Sequence, residues 1–379
     1  MIRTLEDLSR QKEALFLKHP SLRDLRIATL QEAGWNHRRL SDFIESCWRG
    51  YYQPEEFRVV FSPEFLEWQM PELRGICALD GEGKVFGCVI FFRRRYSRGD
   101  QLRTFAIETA ICTITNYRGR GIAQYLSIVH QEALIQAGED FSFRWLDSRK
   151  QQEGSSSHVF GQNRERIWAT TTMSLLGKSF DWRKSRKYGQ LNIFFTLAAR
   201  GIQKLFPSRC GQTFPGGRRV QTGALEYLPA VRELIDAADR TLPLRRVYDD
   251  GELARMIRFR KNDFHALSYC LLDEDGRAEG FLYGYKLPLG EGDCAFFVDG
   301  IIFRRGLSFG LRWRFLSECE GRLWEEEGCI CATLAATACP ENLLKYGYVP
   351  FERQVLGVEP YVEMDLSSQN LRGLRIELR

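Results

Sequence analysis

The stretch of the sequence that decides the fold is Ile111-Cys112-Thr113-Ile114-Thr115-Asn116-Tyr117-Arg118-Gly119-Arg120-Gly121-Ile122-Ala123. It begins as an apolar, β-branched run typical of a strand, passes two glycines, and continues into the apolar spacing of a helix. The first N–H groups of a helix have no partner inside it, and glycine lets an anion approach the backbone closely. The stretch therefore predicts a strand and a helix joined by a tight turn that binds a phosphate group.

Around this stretch the chain contains an internal repeat. Residues 76–87 read ICALDGEGKVFG and residues 269–280 read YCLLDEDGRAEG, so Cys, Asp, Gly and Gly recur at the same spacing. Each copy has the pattern of two strands joined by a short turn, in which Gly83 and Gly276 take backbone angles that other residues avoid. A repeat of this kind indicates two copies of one structural unit.

The elements on either side of the two hairpins also follow a common order. Each hairpin is preceded by a strand and one or two helices, and is followed by a strand, a helix, another strand and a further helical segment. The long helix of each half carries one apolar stripe, formed by Ile122, Leu126, Val129 and Ala133 in the first half and by Leu311, Phe315, Cys319 and Leu323 in the second. This order predicts an α/β fold (an α+β mixed sheet), mostly antiparallel with helices on both faces, built as two tandem domains.

Length and composition agree with this architecture. The 379 residues suffice for two domains, which we place at residues 1–205 and 218–379, and the proline- and glycine-rich residues 206–217 predict a linker. The start of the chain is charged and no apolar run reaches the length of a membrane span, so we predict a cytoplasmic protein without a span. Most of the 11 cysteines lie in apolar, strand-like runs, which predicts buried free thiols and no metal site. The net charge of +5 is modest, and we expect no nucleic-acid partner.

The turn in the deciding stretch resembles the acyl-CoA motif of the GNAT acyltransferase superfamily. That motif is Arg or Gln, two residues, Gly, one residue, and Gly or Ala, and Arg118-x-x-Gly121-x-Ala123 matches it in full. The resemblance extends to the element order of both halves and implies two tandem GNAT-like domains, with the chemistry in the first. It implies acetyl-CoA (coenzyme A) as co-substrate, its pyrophosphate held by backbone N–H groups of Arg118, Gly119, Arg120, Gly121, Ile122 and Ala123. It also implies that the pantetheine arm pairs with backbone groups of Cys112 and Ile114.

Glu108 is the candidate general base, which takes a proton from the attacking ammonium. It stands four residues before Cys112, as the catalytic glutamate does in the histone-acetylating branch of the superfamily. Its apolar neighbours should raise the proton affinity of the carboxylate. The alternative is a solvent-facing position on an amphipathic strand. The backbone N–H of Cys112 is a candidate for polarising the thioester carbonyl.

The sequence departs from the family pattern in both halves. Leu175 stands where the family has the tyrosine that protonates the leaving thiolate, so the general acid is not assigned, and Tyr188 is only a weak candidate. In the second half, the corresponding turn is degenerate and reads Arg305-Gly306-Leu307-Ser308. Counted back from Arg305, Ala295 stands at the position that Glu108 has in the first half. We therefore predict a catalytically silent second domain that forms a wall of the acceptor site.

The resemblance implies an N-acetyltransferase that passes an acyl group from acetyl-CoA to a small-molecule or peptide amine by direct attack. The aromatic residues 48–52 are a candidate lining of the acceptor pocket. Two alternatives stay open: a CoA-binding regulatory module without turnover, and a tRNA-dependent aminoacyl transferase of the peptidoglycan-bridge type, which pairs two such folds but does not need the acyl-CoA motif.

Overall fold

The structure is a computed structural model that describes residues 2–49, 60–147, 169–188, 200–201, 203–223, 225–290, 292–335, 343–365 and 374. The helices are α1 (Leu5–Lys18), α2 (His37–Trp48), α3 (Pro63–Gln69), α4 (Ile122–Gln136), α5 (Trp182–Tyr188), α6 (Leu228–Asp239), α7 (Asp250–Ile257) and α8 (Phe309–Glu325). The strands of the first half are β1 (Arg26–Thr29), β2 (Gly75–Leu79), β3 (Val85–Arg98), β4 (Gln101–Thr113), β5 (Phe141–Asp147) and β6 (Ala169–Ser179). Those of the second half are β7 (Arg219–Thr222), β8 (Leu244–Val247), β9 (Arg258–Lys261), β10 (Phe264–Leu272), β11 (Ala278–Gly290), β12 (Asp293–Phe303), β13 (Cys329–Ala335) and β14 (Val349–Pro360).

The two predicted hairpins have the same turn. Gly83 and Gly276 adopt φ angles of 82° and 79°, in the left-handed region that favours glycine. In both turns the aspartate closes the loop, because Oδ1 of Asp80 accepts the N–H of Lys84 at 2.8 Å and Oδ1 of Asp273 accepts the N–H of Arg277 at 2.8 Å. The repeat read from the sequence is therefore a structural repeat.

The fourteen strands in the described part of the chain belong to one hydrogen-bonded sheet. Its main path runs β1-β2-β3-β4-β5-β14-β6-β13-β12-β11-β10-β7, with β8 added beside β3 and β9 beside β10. Among the described residues, β4 with β5 and β12 with β13 pair in parallel, and the other strand pairs are antiparallel. The mixed, mostly antiparallel sheet predicted from the sequence is confirmed.

The halves exchange their last strands at the centre of this sheet. Strand β6 of the first half pairs with β13 of the second, β14 pairs with β5, and β6 and β14 pair with each other. Lys178, in the exchanged strand β6, forms a buried ion pair with Glu320 of α8. Nζ of Lys178 lies 2.6 Å from Oε2 of Glu320. Each half is thus completed by a strand from the other.

The predicted linker lies against α8. The N–H of Arg209 donates to the carbonyl of Ser317 at 3.1 Å, and the N–H of Gln212 donates to Oε2 of Glu318 at 2.8 Å. The domain boundaries at residues 205 and 218 stay a prediction, since the central strands belong to both halves.

Helices cover both faces of the first half of the sheet. One buried cluster lies between the sheet and α2 and α3, and another lies between the sheet and α1 and α4. Aromatic rings join the first cluster to the second half: the ring centroids of Phe65 and Tyr285 are 5.4 Å apart, and those of Trp68 and Phe264 are 5.3 Å apart. Such ring pairs add about 0.5–1.5 kcal/mol each to the gain from burial, so α3 stabilises the contact between the halves.

Candidate functional site

The turn between β4 and α4 has the conformation that its glycines predict. Gly119 and Gly121 have φ angles of 77° and 79°, which a residue with a side chain adopts only at a cost of about 1–2 kcal/mol. Gly121 is the N-cap of α4 and supplies no side-chain hydrogen bond to the first turn. The N–H groups at the start of α4 therefore keep the capacity to bind an anion.

The end of α1 presses against this turn, which the sequence did not indicate. A Cβ atom on Gly121 would lie 2.8 Å from Cδ2 of His19 and 3.2 Å from a methyl carbon of Leu15. Glycine is thus needed at residue 121 for its φ angle and also for the close approach of α1. His19 is a neighbour of the turn that lies a hundred residues away in the sequence, outside the repeated unit.

Basic side chains surround the turn. Nη2 of Arg118 donates to the carbonyl of Cys47 in the last turn of α2 at 2.5 Å, so the motif arginine ties α2 to the turn. The guanidinium of Arg120 lies 4.8 Å from the centre of the Tyr117 ring, and Nζ of Lys84 lies 5.6 Å from the same centre. Two cations next to a helix N-terminus create a positive potential that favours an anionic ligand.

Beside the turn, β4 and β5 separate and leave a wedge-shaped gap between them, which is named the wedge. The two strands pair from Ala106 opposite Ser142 to Glu108 opposite Arg144. Beyond this point β4 continues to Thr113, whereas β5 pairs onward with β14. The register of β4 with β3 skips Thr109, which is an extra residue of the bulged strand. Within the described part of the chain, the β5 side of β4 therefore lacks a strand partner from Thr109 to Thr113.

Hydrogen bonding shows which backbone groups of β4 face this wedge. The N–H of Ile114 donates to the carbonyl of Phe86 at 3.0 Å, and the carbonyl of Ile114 accepts the N–H of Tyr117 at 2.9 Å. In an antiparallel pair, alternate residues direct both backbone groups toward the same neighbour, so Cys112 also faces β3. The backbone groups of Ile111 and Thr113 face the wedge. The backbone groups of Cys112 and Ile114, which were expected to bind the pantetheine arm, thus face β3 instead of the wedge.

Glu108 lies at the closed end of the wedge and is buried, with 4% of its surface exposed, so the solvent-facing alternative is wrong. Nη2 of Arg144 lies 2.7 Å from both carboxylate oxygens, and the hydroxyl of Ser142 donates to Oε1 at 3.3 Å. Nη2 of Arg144 also donates to the hydroxyl of Ser127 on α4 at 2.9 Å. The carboxylate is therefore paired with a guanidinium rather than surrounded by apolar groups alone.

The exchanged strand β14 extends this buried cluster. Glu359 of β14 lies 4.0 Å from Nη2 of Arg144, 3.1 Å from Nε of Arg3, and accepts the amide of Gln131 at 2.6 Å. Burial raises the pKa of Glu359, and the charges of Arg144 and Arg3 oppose that shift. The second half of the chain thus supplies one of the charges around Glu108.

Two buried rings lie near the Arg144–Glu108 pair: His130 is affected by the charge of Arg144, and Tyr361 by the charges of Glu359 and Glu108. Burial, followed by the charge of Arg144, lowers the pKa of His130 to about 3, so its ring is neutral near pH 7. The hydroxyl of Tyr361 is 2.9 Å from that of Ser142, and burial raises the pKa of Tyr361 well above its usual range. Neither ring was singled out from the sequence, because their partners come from distant strands.

The remaining predicted residues are distributed as follows. Leu175 is buried in the core and carries no proton to donate. The side chain of Tyr188, at the end of α5, lies outside the described residues, as do residues 50–52 of the aromatic stretch. Trp48 is described, and its ring packs edge-on against Phe61 with centroids 5.3 Å apart.

The second half keeps the wedge and changes the turn. As far as the described residues go, which on this side end at 335 and resume at 343, its parallel pairing ends at Val298 opposite Leu334, and Asp299 is the extra residue of the bulge. By this register Val298, rather than Ala295, takes the place of Glu108. The hydroxyl of Ser308 accepts the N–H of Leu311 at 3.4 Å and caps α8. A side chain thus occupies the helix end that is uncapped in the first half.

Comparison with known proteins identifies the fold. No protein-family model and no curated protein matches the sequence. Crystal structures of Saccharomyces cerevisiae N-myristoyltransferase with bound myristoyl-CoA are similar, one with a TM-score of 0.63 and 11% identity over 89% of this chain and 82% of that chain. A second such structure has 12% identity over 92% of this chain and 84% of that chain, again with a TM-score of 0.63. A tandem GNAT protein from the clavulanic acid biosynthesis pathway gives a TM-score of 0.57 and 12% identity, over 90% of this chain and all of that chain (100%). The chain has the tandem GNAT fold that its sequence predicts.

In the described residues, no group of three or more His, Cys, Asp and Glu side chains is placed to hold a metal ion. No helix in this part of the chain is long and apolar enough to cross a membrane. Metal independence and a cytoplasmic location stay predictions.

Proposed function

We propose that the chain is an acyl-CoA-dependent N-acyltransferase whose reaction takes place in the first half. The observation that carries this proposal is the meeting of two features: an uncapped, glycine-lined helix start and a wedge beside a bulged strand. The turn offers N–H groups and a positive potential to a pyrophosphate. The wedge offers a strand edge to an extended, amide-containing chain. Both features are recognition elements for the two ends of one CoA thioester.

The residues have the following proposed roles. Backbone N–H groups from Gly119 to Ala123 bind the pyrophosphate, whereas the N–H of Arg118, which the sequence motif also implies, donates to the carbonyl of Thr115 at 3.2 Å. The backbone groups of Ile111 and Thr113 pair with the pantetheine amides, because these are the groups that face the wedge. We propose that the N–H of Ile111 donates to the thioester carbonyl, whose oxygen gains negative charge as the amine attacks, and that the carbonyl of Ile111 is the group that accepts a pantetheine N–H.

Glu108 is the proposed general base. It lies at the closed end of the wedge, next to the bulge, so a thioester seated there would have this carboxylate as a near neighbour. The amine attacks the carbonyl carbon directly, loses a proton to the base, and the CoA thiolate leaves. Arg144 holds the carboxylate in place through its contacts at 2.7 Å.

We propose acetyl-CoA as the donor and a small-molecule or peptide amine as the acceptor. The described parts of the second half support the prediction that it is catalytically silent, because Val298 replaces the acid and Ser308 caps its helix. The two rival functions make different predictions. A regulatory module binds acyl-CoA without turnover, whereas an aminoacyl transferase of the peptidoglycan-bridge type turns over aminoacyl-tRNA and gains nothing from acyl-CoA.

The test is a donor-by-acceptor screen. Purified protein is incubated with acyl-CoAs from acetyl to myristoyl and with a panel of primary amines and peptides, and the release of free CoA thiol and the acylated product are measured. We expect amine-dependent thiol release and one acylated product for at least one donor. Binding of acyl-CoA without product across the panel would favour the regulatory module. Absence of binding would overturn the proposal.

A further inference from the structure

Two cysteines of the second half face each other on neighbouring strands. Cys294, in β12, is opposite Cys329, in β13, in the parallel register. Their sulfur atoms are 3.5 Å apart. Opposed residues of paired strands have Cα atoms about 5 Å apart, which lies within the range of about 4.4–6.8 Å that a disulfide spans. The register shifts directly after Cys294, so the ladder is irregular where the strands would have to adjust.

The two thiols differ in access. Cys294 is partly exposed, whereas Cys329 is fully buried. A small oxidant in solvent therefore reaches Cys294 first, and Cys329 is placed behind it at contact distance. Such a pairing, with an accessible sulfur next to a buried partner, is the arrangement of an attacking and a resolving cysteine.

The surroundings favour the thiolate of Cys294. The neighbouring Cys329 thiol, followed by the positive charge of Lys286, lowers the pKa of Cys294, against the opposing effects of burial and of Glu327 and Asp293. The carboxylate of Glu327 is itself engaged by Lys286 at 3.3 Å and by His265 at 3.2 Å. The thiolate is the form that reacts with peroxides.

We propose that Cys294 and Cys329 form a site of reversible oxidation by peroxides, independent of the acyl-CoA site. The Cys294 thiolate attacks a peroxide oxygen and becomes a sulfenic acid, and the other oxygen leaves as hydroxide or, from an organic peroxide, as alkoxide, which takes up a proton to form water or an alcohol. The Cys329 thiol then attacks the sulfenic sulfur, an S–S bond forms, and the hydroxyl leaves as water. The peroxide is reduced and the two thiols are oxidised to one disulfide, which a dithiol reductant restores.

Two other cysteines provide matched controls. Cys210 is also partly exposed, but burial, followed by Glu325, raises the pKa of Cys210 to about 12. Cys331 lies two residues beyond Cys329 in β13, opposite Ala295, and burial raises the pKa of Cys331 to about 12. Accessibility alone would make Cys210 react, and proximity along the strand alone would make Cys331 take part.

The experiment uses the full chain and hydrogen peroxide. After brief treatment at pH 7 and trapping of residual thiols, peptide mapping should show a single disulfide joining residues 294 and 329, removed by dithiothreitol. Cys331→Ser should form the same bond. Cys294→Ser should not form it, and Cys329→Ser should stop at a sulfenic acid on Cys294 that reacts with dimedone. No disulfide in the wild type, or a disulfide to another cysteine, would overturn the proposal.

A second measurement needs no variant. Untreated protein is labelled with limiting iodoacetamide at pH 7, and the modified fraction of each cysteine is followed over time. Cys294 should react at least about ten-fold faster than Cys210, because its surroundings lower the pKa of Cys294 and raise that of Cys210, and the thiolate is the reactive form. Equal rates for the two cysteines would contradict the proposed reactivity of Cys294.

Discussion

Replacing Glu108 with glutamine separates a catalytic role of this residue from a structural one. The substitution keeps the shape and one acceptor oxygen but removes the negative charge that faces Arg144 at 2.7 Å. Removing one partner of a buried ion pair costs about 3–5 kcal/mol of unfolding free energy when the other charge is left alone. In this variant Glu359 still lies 4.0 Å from Arg144, and the glutamine oxygen can still accept a hydrogen bond from Arg144. We therefore expect the unfolding free energy to fall by about 2 kcal/mol.

The matched control for this variant is Glu359→Gln. It removes a carboxylate from the same buried cluster, but one that lies on β14 and has no proposed part in the reaction. Urea unfolding gives the stability of both variants, and steady-state acyl transfer gives their turnover. If Glu108 is the base, Glu108→Gln lowers kcat by about 10²- to 10⁴-fold with an unchanged Kd for acyl-CoA, while Glu359→Gln lowers it far less. Equal effects of the two variants on kcat would refute the base assignment and leave Glu108 as a structural partner of Arg144.

The other predictions concern the pH dependence, the central strands and the second half. The pKa of His130 is depressed to about 3, so below its unfolded value of about 6.5 the unfolded chain binds a proton that the folded chain does not. The unfolding free energy therefore falls as the pH decreases from about 6.5 toward 3. In this range His130→Gln should reduce the slope of unfolding free energy against pH by about 1.4 kcal/mol per pH unit. An unchanged slope would show that His130 titrates normally. Residues 1–205 and 218–379 expressed separately should each lack a cooperative unfolding transition, because each has lost the strand that completes its sheet; two independently folded fragments would contradict this. Lys178→Met should cost about 3–5 kcal/mol by leaving Glu320 buried without its cation, and adding Glu320→Leu should recover most of it in a double-mutant cycle.

The local geometry of the fold can be predicted well from the sequence. The hairpins at Gly83 and Gly276 and the turn at Gly121 require left-handed backbone angles, and glycine at a fixed spacing is a direct signal for them. The apolar stripe of α8 is largely confirmed, since Phe315, Cys319 and Leu323 are buried. These features depend on residues close together in the chain.

The parts that the sequence did not reveal depend on distant partners. The stripe predicted for α4 is wrong at Ala133, which is exposed, while the polar residues Ser127, His130 and Gln131 are buried. They are buried because Arg144 and Glu359 lie beneath α4, and Glu359 arrives on a strand exchanged from the other half. No local pattern specifies which half a terminal strand joins, because its alternation of side chains is the same in either place.

The measurement that tests the central claim most directly is calorimetric binding of acetyl-CoA, and of longer acyl-CoAs, to the wild type and to Gly121→Glu. The substitution puts a carboxylate at the proposed pyrophosphate site, where the Cβ atom alone would lie 2.8 Å from the His19 ring. Gly276→Glu is the control, because it has a similar φ angle of 79°, the same added charge and open space around it, in the other half. The account predicts one acyl-CoA per wild-type chain, the same in Gly276→Glu, and no measurable binding to a folded Gly121→Glu. Wild-type affinity in Gly121→Glu would contradict it.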